Sequence, residues 1–149
     1  MTSNTLHIHP DELEKIQFEP TSHCNLRCPA CSRTDETTLL PKKDVVNFQQ
    51  HIPLSLIKPI FSNLPKLNNV MMNGDIGDAL MHPQLDKICK LIIKMYPKIN
   101  IRIDTNGTPG KDSMFENLLR MKNVYFVFGI DGLEDTNHIH RVGASWKII

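Results

Sequence analysis

The sequence has no apolar run of the roughly 18 or more residues that a membrane-crossing helix needs. It also lacks charge of one sign: 17 Lys and Arg stand against 16 Asp and Glu, a formal charge of +1. No basic field therefore points to nucleic acid. The stretch from Met1 to Pro10 carries His7 and His9 but neither the basic start nor the apolar segment of a secretory signal. No repeat at a solenoid period and no low-complexity tract is present. What is left is ordinary globular usage, 40% hydrophobic and 22% charged over 149 residues. That length suits one domain with a modest core. A reducing, cytoplasmic setting is the expectation.

Cysteine is scarce and unevenly placed. Three of the four, Cys24, Cys28 and Cys31, fall within eight residues, and Cys89 stands alone. A disulfide framework would spread and pair its cysteines. Crowding in a reducing compartment points instead to metal. The spacing is C-x3-C-x2-C. Three thiolates so spaced can wrap one corner of a cuboidal iron–sulfur cluster, each on a separate iron, and leave the fourth iron open. Arg27, inside the loop, is placed to lower the thiol pKa values and to screen an anionic cluster. A structural zinc site is the rival reading, with His23 joining the three cysteines, although adjacent His23 and Cys24 meet tetrahedral geometry with difficulty. Cys89 falls on an apolar helix face, where packing is the expected role.

Strand and helix patterns alternate along the chain. Strands are expected over 15–19, 69–73, 98–104 and 123–130, from period-two alternation at Ile99, Ile101 and Ile103 and from short apolar runs. Helices are expected over 53–64, over 83–96 with Pro83 at the first position, and from a capping box at Ser113 to Met121. A shorter one is expected over 135–141. The alternation implies βα units on a parallel sheet, as a partial barrel or a doubly wound sheet, with ligands gathered beyond the carboxyl ends of the strands. The polar and glycine-rich segments obey that rule. Cys24–Cys31 follows the first strand, Asn73-Gly74-Asp75 the second and Asp104-Thr105-Asn106-Gly107 the third. Gly129 and Asp131 close the fourth. Four such tips converge on one rim.

The segment Glu19-Pro20-Thr21-Ser22-His23-Cys24-Asn25-Leu26-Arg27-Cys28-Pro29-Ala30-Cys31 resembles the cluster motif of the radical S-adenosylmethionine superfamily, in its SPASM- or twitch-like branch. The likeness extends to Asn73-Gly74-Asp75, to Thr105-Asn106-Gly107, and to Gly129-Ile130-Asp131-Gly132 with His138 and Arg141 downstream. It implies an α/β partial barrel of about four βα units over residues 15–149, with 1–14 as an extension. It also implies a [4Fe–4S] cluster on Cys24, Cys28 and Cys31. S-adenosyl-L-methionine would be held by Gly74, Asp75, Asn106, Gly129, Asp131 and Arg141, with Asp75 taking its ammonium group and Arg141 its carboxylate. The family's chemistry is reductive cleavage to a 5′-deoxyadenosyl radical that abstracts hydrogen from substrate. That implies a flavodoxin- or ferredoxin-like electron donor and a peptide or small-molecule substrate. Three positions depart from the pattern: Asn73 for the first glycine of the second motif, Gly129 for a serine, and Ala30 for the aromatic residue before the third cysteine. A catalytically inactive cluster-binding member, or a zinc or interaction module, stays open on these residues alone.

Family members carry about six βα units, so the core is expected to be incomplete at its carboxyl end. Ser145 reads as the cap of a helix that has only just begun. The chain reads either as a fragment or as a short protein whose barrel a partner chain completes, and either way the fourth strand is expected to have a bare edge.

Overall fold

The computed structural model describes residues 9–46, 50–109 and 112–149. Residues 1–8, including His7, lie outside the described residues. Four strands, β1 (Lys15–Gln17), β2 (Asn69–Met72), β3 (Asn100–Thr105) and β4 (Val124–Phe128), pair in parallel in the order β1-β2-β3-β4. The α/β parallel architecture is as the alternation implies. Each strand sits within a residue or two of the run that announced it.

One face of the sheet is dry. Val70, Met72, Ile101 and Ile103 are fully buried, and the alternation of β3 is what aims Ile101 and Ile103 to the same side. Helices α2 (Ile57–Phe61), α3 (Leu85–Met95) and α4 (Asp112–Leu119) cover that face with Ile57, Phe61, Leu85, Ile88, Cys89, Ile92, Met114 and Leu118. Burying each large apolar side chain stabilises the fold by about 1.5–3 kcal/mol. Burial also pushes the Cys89 thiol up to about 12, as suits a packing residue.

The helix boundaries differ from the pattern for local reasons. The stretch over 53–64 splits into a 3-10 turn at Leu54–Leu56 followed by α2, so that Pro59 falls in the first turn of α2. Ser62, in extended backbone, then ends it. Pro83 stands outside α3, because the Gln84 N–H is taken by His82 Nδ1 (3.1 Å) and Gln84 becomes the cap. Ser113 lies inside α4 rather than capping it. The short helices α1 (Lys43–Val46) and α5 (Asn137–His140) complete the set. After Ser145 the chain makes a turn, closed by the Ile148 N–H on the Ser145 carbonyl (3.0 Å), and enters no helix.

The opposite face is open. Gln17, Met71, Arg102 and Tyr125 form a register row across it. Arg102 grips Asp104 with two bonds of 2.6 and 2.8 Å. Tyr125 on this face is 48% exposed and Val127 36%, and Phe128 at the strand end and Ile130, Leu133 and Ile139 beyond it are also exposed. Parallel sheets are ordinarily covered on both faces, and β4 has no strand beyond it among the described residues. The 149-residue chain is therefore expected to self-associate: size-exclusion chromatography should show oligomers or aggregate that grow with concentration. A compact monomer at every concentration would contradict this.

Candidate cofactor site

Pro20 ends β1, and the chain then runs beside residues 50–52 through Ser22 N–H to Gln50 O (3.0 Å) and Ile52 N–H to Pro20 O (2.9 Å). Two tight turns follow, Cys31 N–H to Cys28 O (3.0 Å) and Thr34 N–H to Cys31 O (2.9 Å). Leu26 is buried beneath the loop, and the Arg27 N–H is held by the Val142 carbonyl (2.9 Å). Cys24, Cys28 and Cys31 are left half-buried on one wall of a cavity of about 330 Å³ at the carboxyl ends of the strands. That volume is at the small end of the range for ligand sites, about 300–1,000 Å³.

The cavity gathers most of the residues read from the sequence. Gly74 on the β2 tip, Asn106 on the β3 tip, Gly129 beyond β4 and Arg141 beyond α5 line it together with the three cysteines. Asp75 and Asp131 do not line it. Asp75 is exposed and bonds Gln17, and Asp131 is held by Arg141 Nε with His140 3.9 Å away. The Asn106 amide joins the β3 tip to the loop, with Nδ2 3.0 Å from Asn25 Oδ1 and 4.0 Å from Cys24 Sγ.

Burial pushes the Cys24 and Cys28 thiols up. Cations oppose it, but not the one read from the sequence. Arg27 is exposed; Arg33 acts on Cys24, and Arg141 acts on Cys28 with Nη1 3.9 Å from Sγ. Gly129 leaves room for the guanidinium where it lies. A Cβ there would stand 2.6 Å from Arg141 Nη2 and 3.2 Å from Cζ. The glycine in place of a serine is thus also clearance for a guanidinium.

Three further residues were not legible as site residues: Arg33, Gly77 and Asp78. Asp78 is 4% exposed and lines the cavity. It accepts from Thr105 Oγ1 (2.9 Å), Asn106 N–H (2.9 Å) and Leu80 N–H (3.1 Å), so one carboxylate ties the β2 and β3 tips together. Burial pushes its carboxyl up, against the pull of those hydrogen bonds. The available signal was the second Gly-Asp pair, Gly77-Asp78, three residues after Gly74-Asp75.

His23, His51 and His82 pack against one another. His82 is buried with both ring nitrogens committed, Nε2 donating to Ile52 O (2.9 Å) and Nδ1 accepting from Gln84 N–H. His23 stacks on His51 at 4.4 Å. Among the described residues no group of three or more His, Cys, Asp or Glu side chains is gathered for a single metal ion. The three thiols share a wall without closing on one point.

The sequence model of the Radical SAM superfamily matches residues 18–149. A curated relative, GTP 3′,8-cyclase of Sulfurovum sp. (strain NBC37-1), is 24% identical over 99 residues, which is 66% of this chain and 28% of that protein. Among solved structures, Streptococcus suis SuiB bound to precursor peptide SuiA superposes with a TM-score of 0.63 at 19% identity, over 83% of this chain and 26% of SuiB. BtrN in complex with AdoMet and 2-DOIA gives 0.60 at 19% identity, over 79% of this chain and 46% of BtrN. The chain thus spans less than half the length of each of these proteins.

Proposed function

This chain belongs to the radical SAM superfamily, and from that premise we propose that Cys24, Cys28 and Cys31 hold a [4Fe–4S] cluster whose fourth iron binds S-adenosylmethionine. The observation that carries the reading is the meeting of these three thiols with Gly74, Asn106, Gly129 and Arg141 around one cavity. The donor set fits the group: thiolates are the ligands of such clusters, and the guanidinium groups of Arg33 and Arg141 act on the thiols that would carry its negative charge. When bound, the cluster supplies the electron that cleaves S-adenosylmethionine to a 5′-deoxyadenosyl radical, which takes hydrogen from substrate.

The residues of the chain bind and orient. Arg141, extended over Cys28 and steadied by Asp131, is the partner for the methionine carboxylate. For the ammonium group the β2 tip offers two carboxylates, and the one that lines the cavity is Asp78, so we assign the contact there in place of Asp75. A carboxylate has about four lone-pair sites, so Asp78 keeps about one beyond its bonds to Leu80, Thr105 and Asn106. Gly74 and Asn106 form the adjoining walls.

Residues 15–149 would form the core, with 1–14 as an extension. A flavodoxin- or ferredoxin-like protein would deliver the electron. The substrate class is a peptide or a small molecule, as the molecules bound in SuiB and BtrN illustrate. A partner chain would cover β4. No helix among the described residues is long and apolar enough to cross a membrane.

Arg141→Ala should weaken S-adenosylmethionine binding about tenfold or more, from loss of a charge-assisted contact of about 1.5–3 kcal/mol. Equilibrium dialysis of reconstituted protein reads this, and an unchanged affinity would remove Arg141 from the site. The reading as a whole is tested by oxygen-free reconstitution with iron and sulfide, followed by reduction in the presence of S-adenosylmethionine. Release of 5′-deoxyadenosine supports it. A cluster that releases none identifies an inactive member, and zinc in the purified protein without iron or sulfide favours the structural-metal reading.

A further inference from the structure

Arg33 is the one Lys or Arg among the described residues that is buried, at 6% exposure. Its Nη1 donates to two backbone carbonyls on different loops: Ser22, just ahead of Cys24, and Ile76, on the β2 tip. Its backbone is fixed as well, the carbonyl accepting from Lys42 N–H (2.9 Å). Beside it the same two loops are joined again by Asp78 N–H to His23 O (2.8 Å). No ion pair among the described residues includes Arg33. A buried guanidinium satisfied by carbonyls alone keeps its full positive charge, and burying an unbalanced charge is costly. It lines the cavity together with the three cysteines, and its charge acts on Cys24.

We infer that Arg33 is a positioning residue and the buried counter-charge of the iron–sulfur centre: it bolts the cysteine loop to the β2 tip, and the anionic centre balances its charge. This rests on the function proposed above. The two halves separate by substitution. Lysine keeps the charge, but its ammonium ends one bond short of the position of Nη1, the single nitrogen that donates to both carbonyls, and it sits on a flexible stem. Glutamine removes the charge. Because net charge and hydrogen bonding set the potential of such centres, loss of a nearby positive charge disfavours the more negative, reduced state.

The test uses the full chain as wild type, Arg33→Lys and Arg33→Gln, reconstituted without oxygen. Iron and sulfide content, the midpoint potential from an EPR-monitored redox titration, and the rate of iron loss to a chelator are measured for each. The Gln variant should titrate at a lower potential than wild type. The Lys variant should keep the wild-type potential while losing iron several-fold faster. A purely structural role would lower iron content or stability and leave the potential of the remaining centres where it was. Wild-type potential in the Gln variant overturns the counter-charge, and wild-type chelator resistance in the Lys variant overturns the bolt. If the Gln variant takes up no iron, the Lys variant decides alone, and a shifted potential there overturns the inference. A wild-type chain that assembles no centre overturns both this and the proposed function, whereas a good wild-type centre indifferent to Arg33 overturns this inference alone.

Discussion

Replacing Cys24, Cys28 and Cys31 together with alanine should give a colourless protein that retains no iron or sulfide after oxygen-free reconstitution, where the unaltered chain turns brown with broad visible absorption. The three thiols are the cysteines that line the cavity; the fourth, Cys89, is fully buried in the helix layer. That makes Cys89→Ala the control. It should keep the full complement of iron and lose only about 1 kcal/mol of stability, the scale of a small buried truncation. Because the altered thiols are half-buried rather than core groups, the triple variant should keep its far-ultraviolet circular dichroism. Colour that survives the triple substitution would remove the foundation of the reading.

Among the described glycines, Gly77→Ala should be the most damaging substitution. A Cβ at this position would stand 2.3 Å from Thr21 O, 2.8 Å from His23 O and 2.9 Å from Ser22 C. All three are backbone atoms, so no side-chain rotation relieves the clash, and the β2 tip must part from the cysteine loop. The bond from Asp78 N–H to His23 O and the Arg33 bonds to Ser22 and Ile76 lie across that junction. Overpacking costs about 1–3 kcal/mol, and a buried donor left unpaired costs about 1–3 kcal/mol. A loss of about 3 kcal/mol corresponds to a fall of roughly 6–12 °C in the unfolding temperature for a chain of this size. Iron uptake should fall with it, because the thiols no longer share a wall with the β2 and β3 tips. A Gly77→Ala protein that melts and reconstitutes like the parent would mean that the two loops are not held together as described.

The sheet was legible because β3 alternates cleanly at Ile101 and Ile103 and because each apolar run ends in a polar or glycine tip. The cysteine loop was legible because its ligands are close in sequence. What escaped was long-range. Arg27 sits inside the motif and Arg33 outside it, yet Arg33 turns inward, because Ser22 O and Ile76 O offer it buried acceptors that no local pattern reveals. Asp75 directly follows the glycine of the β2 tip, while Asp78, three residues later, is the carboxylate that reaches Thr105 and Asn106 across the sheet. Gly129 read as a missing hydroxyl because its neighbour in space, Arg141, is twelve residues away in the chain. Helix boundaries slipped where a side chain competed for a backbone group, as His82 does at Gln84.

The most direct test is the EPR spectrum of the reduced, reconstituted chain recorded before and after S-adenosylmethionine is added. If three side chains occupy three irons and the last is vacant, the co-substrate should enter that position and alter the signal, and Arg141→Ala should weaken the change. A spectrum that does not respond to S-adenosylmethionine at any concentration, or no iron–sulfur signal at all, would contradict the account.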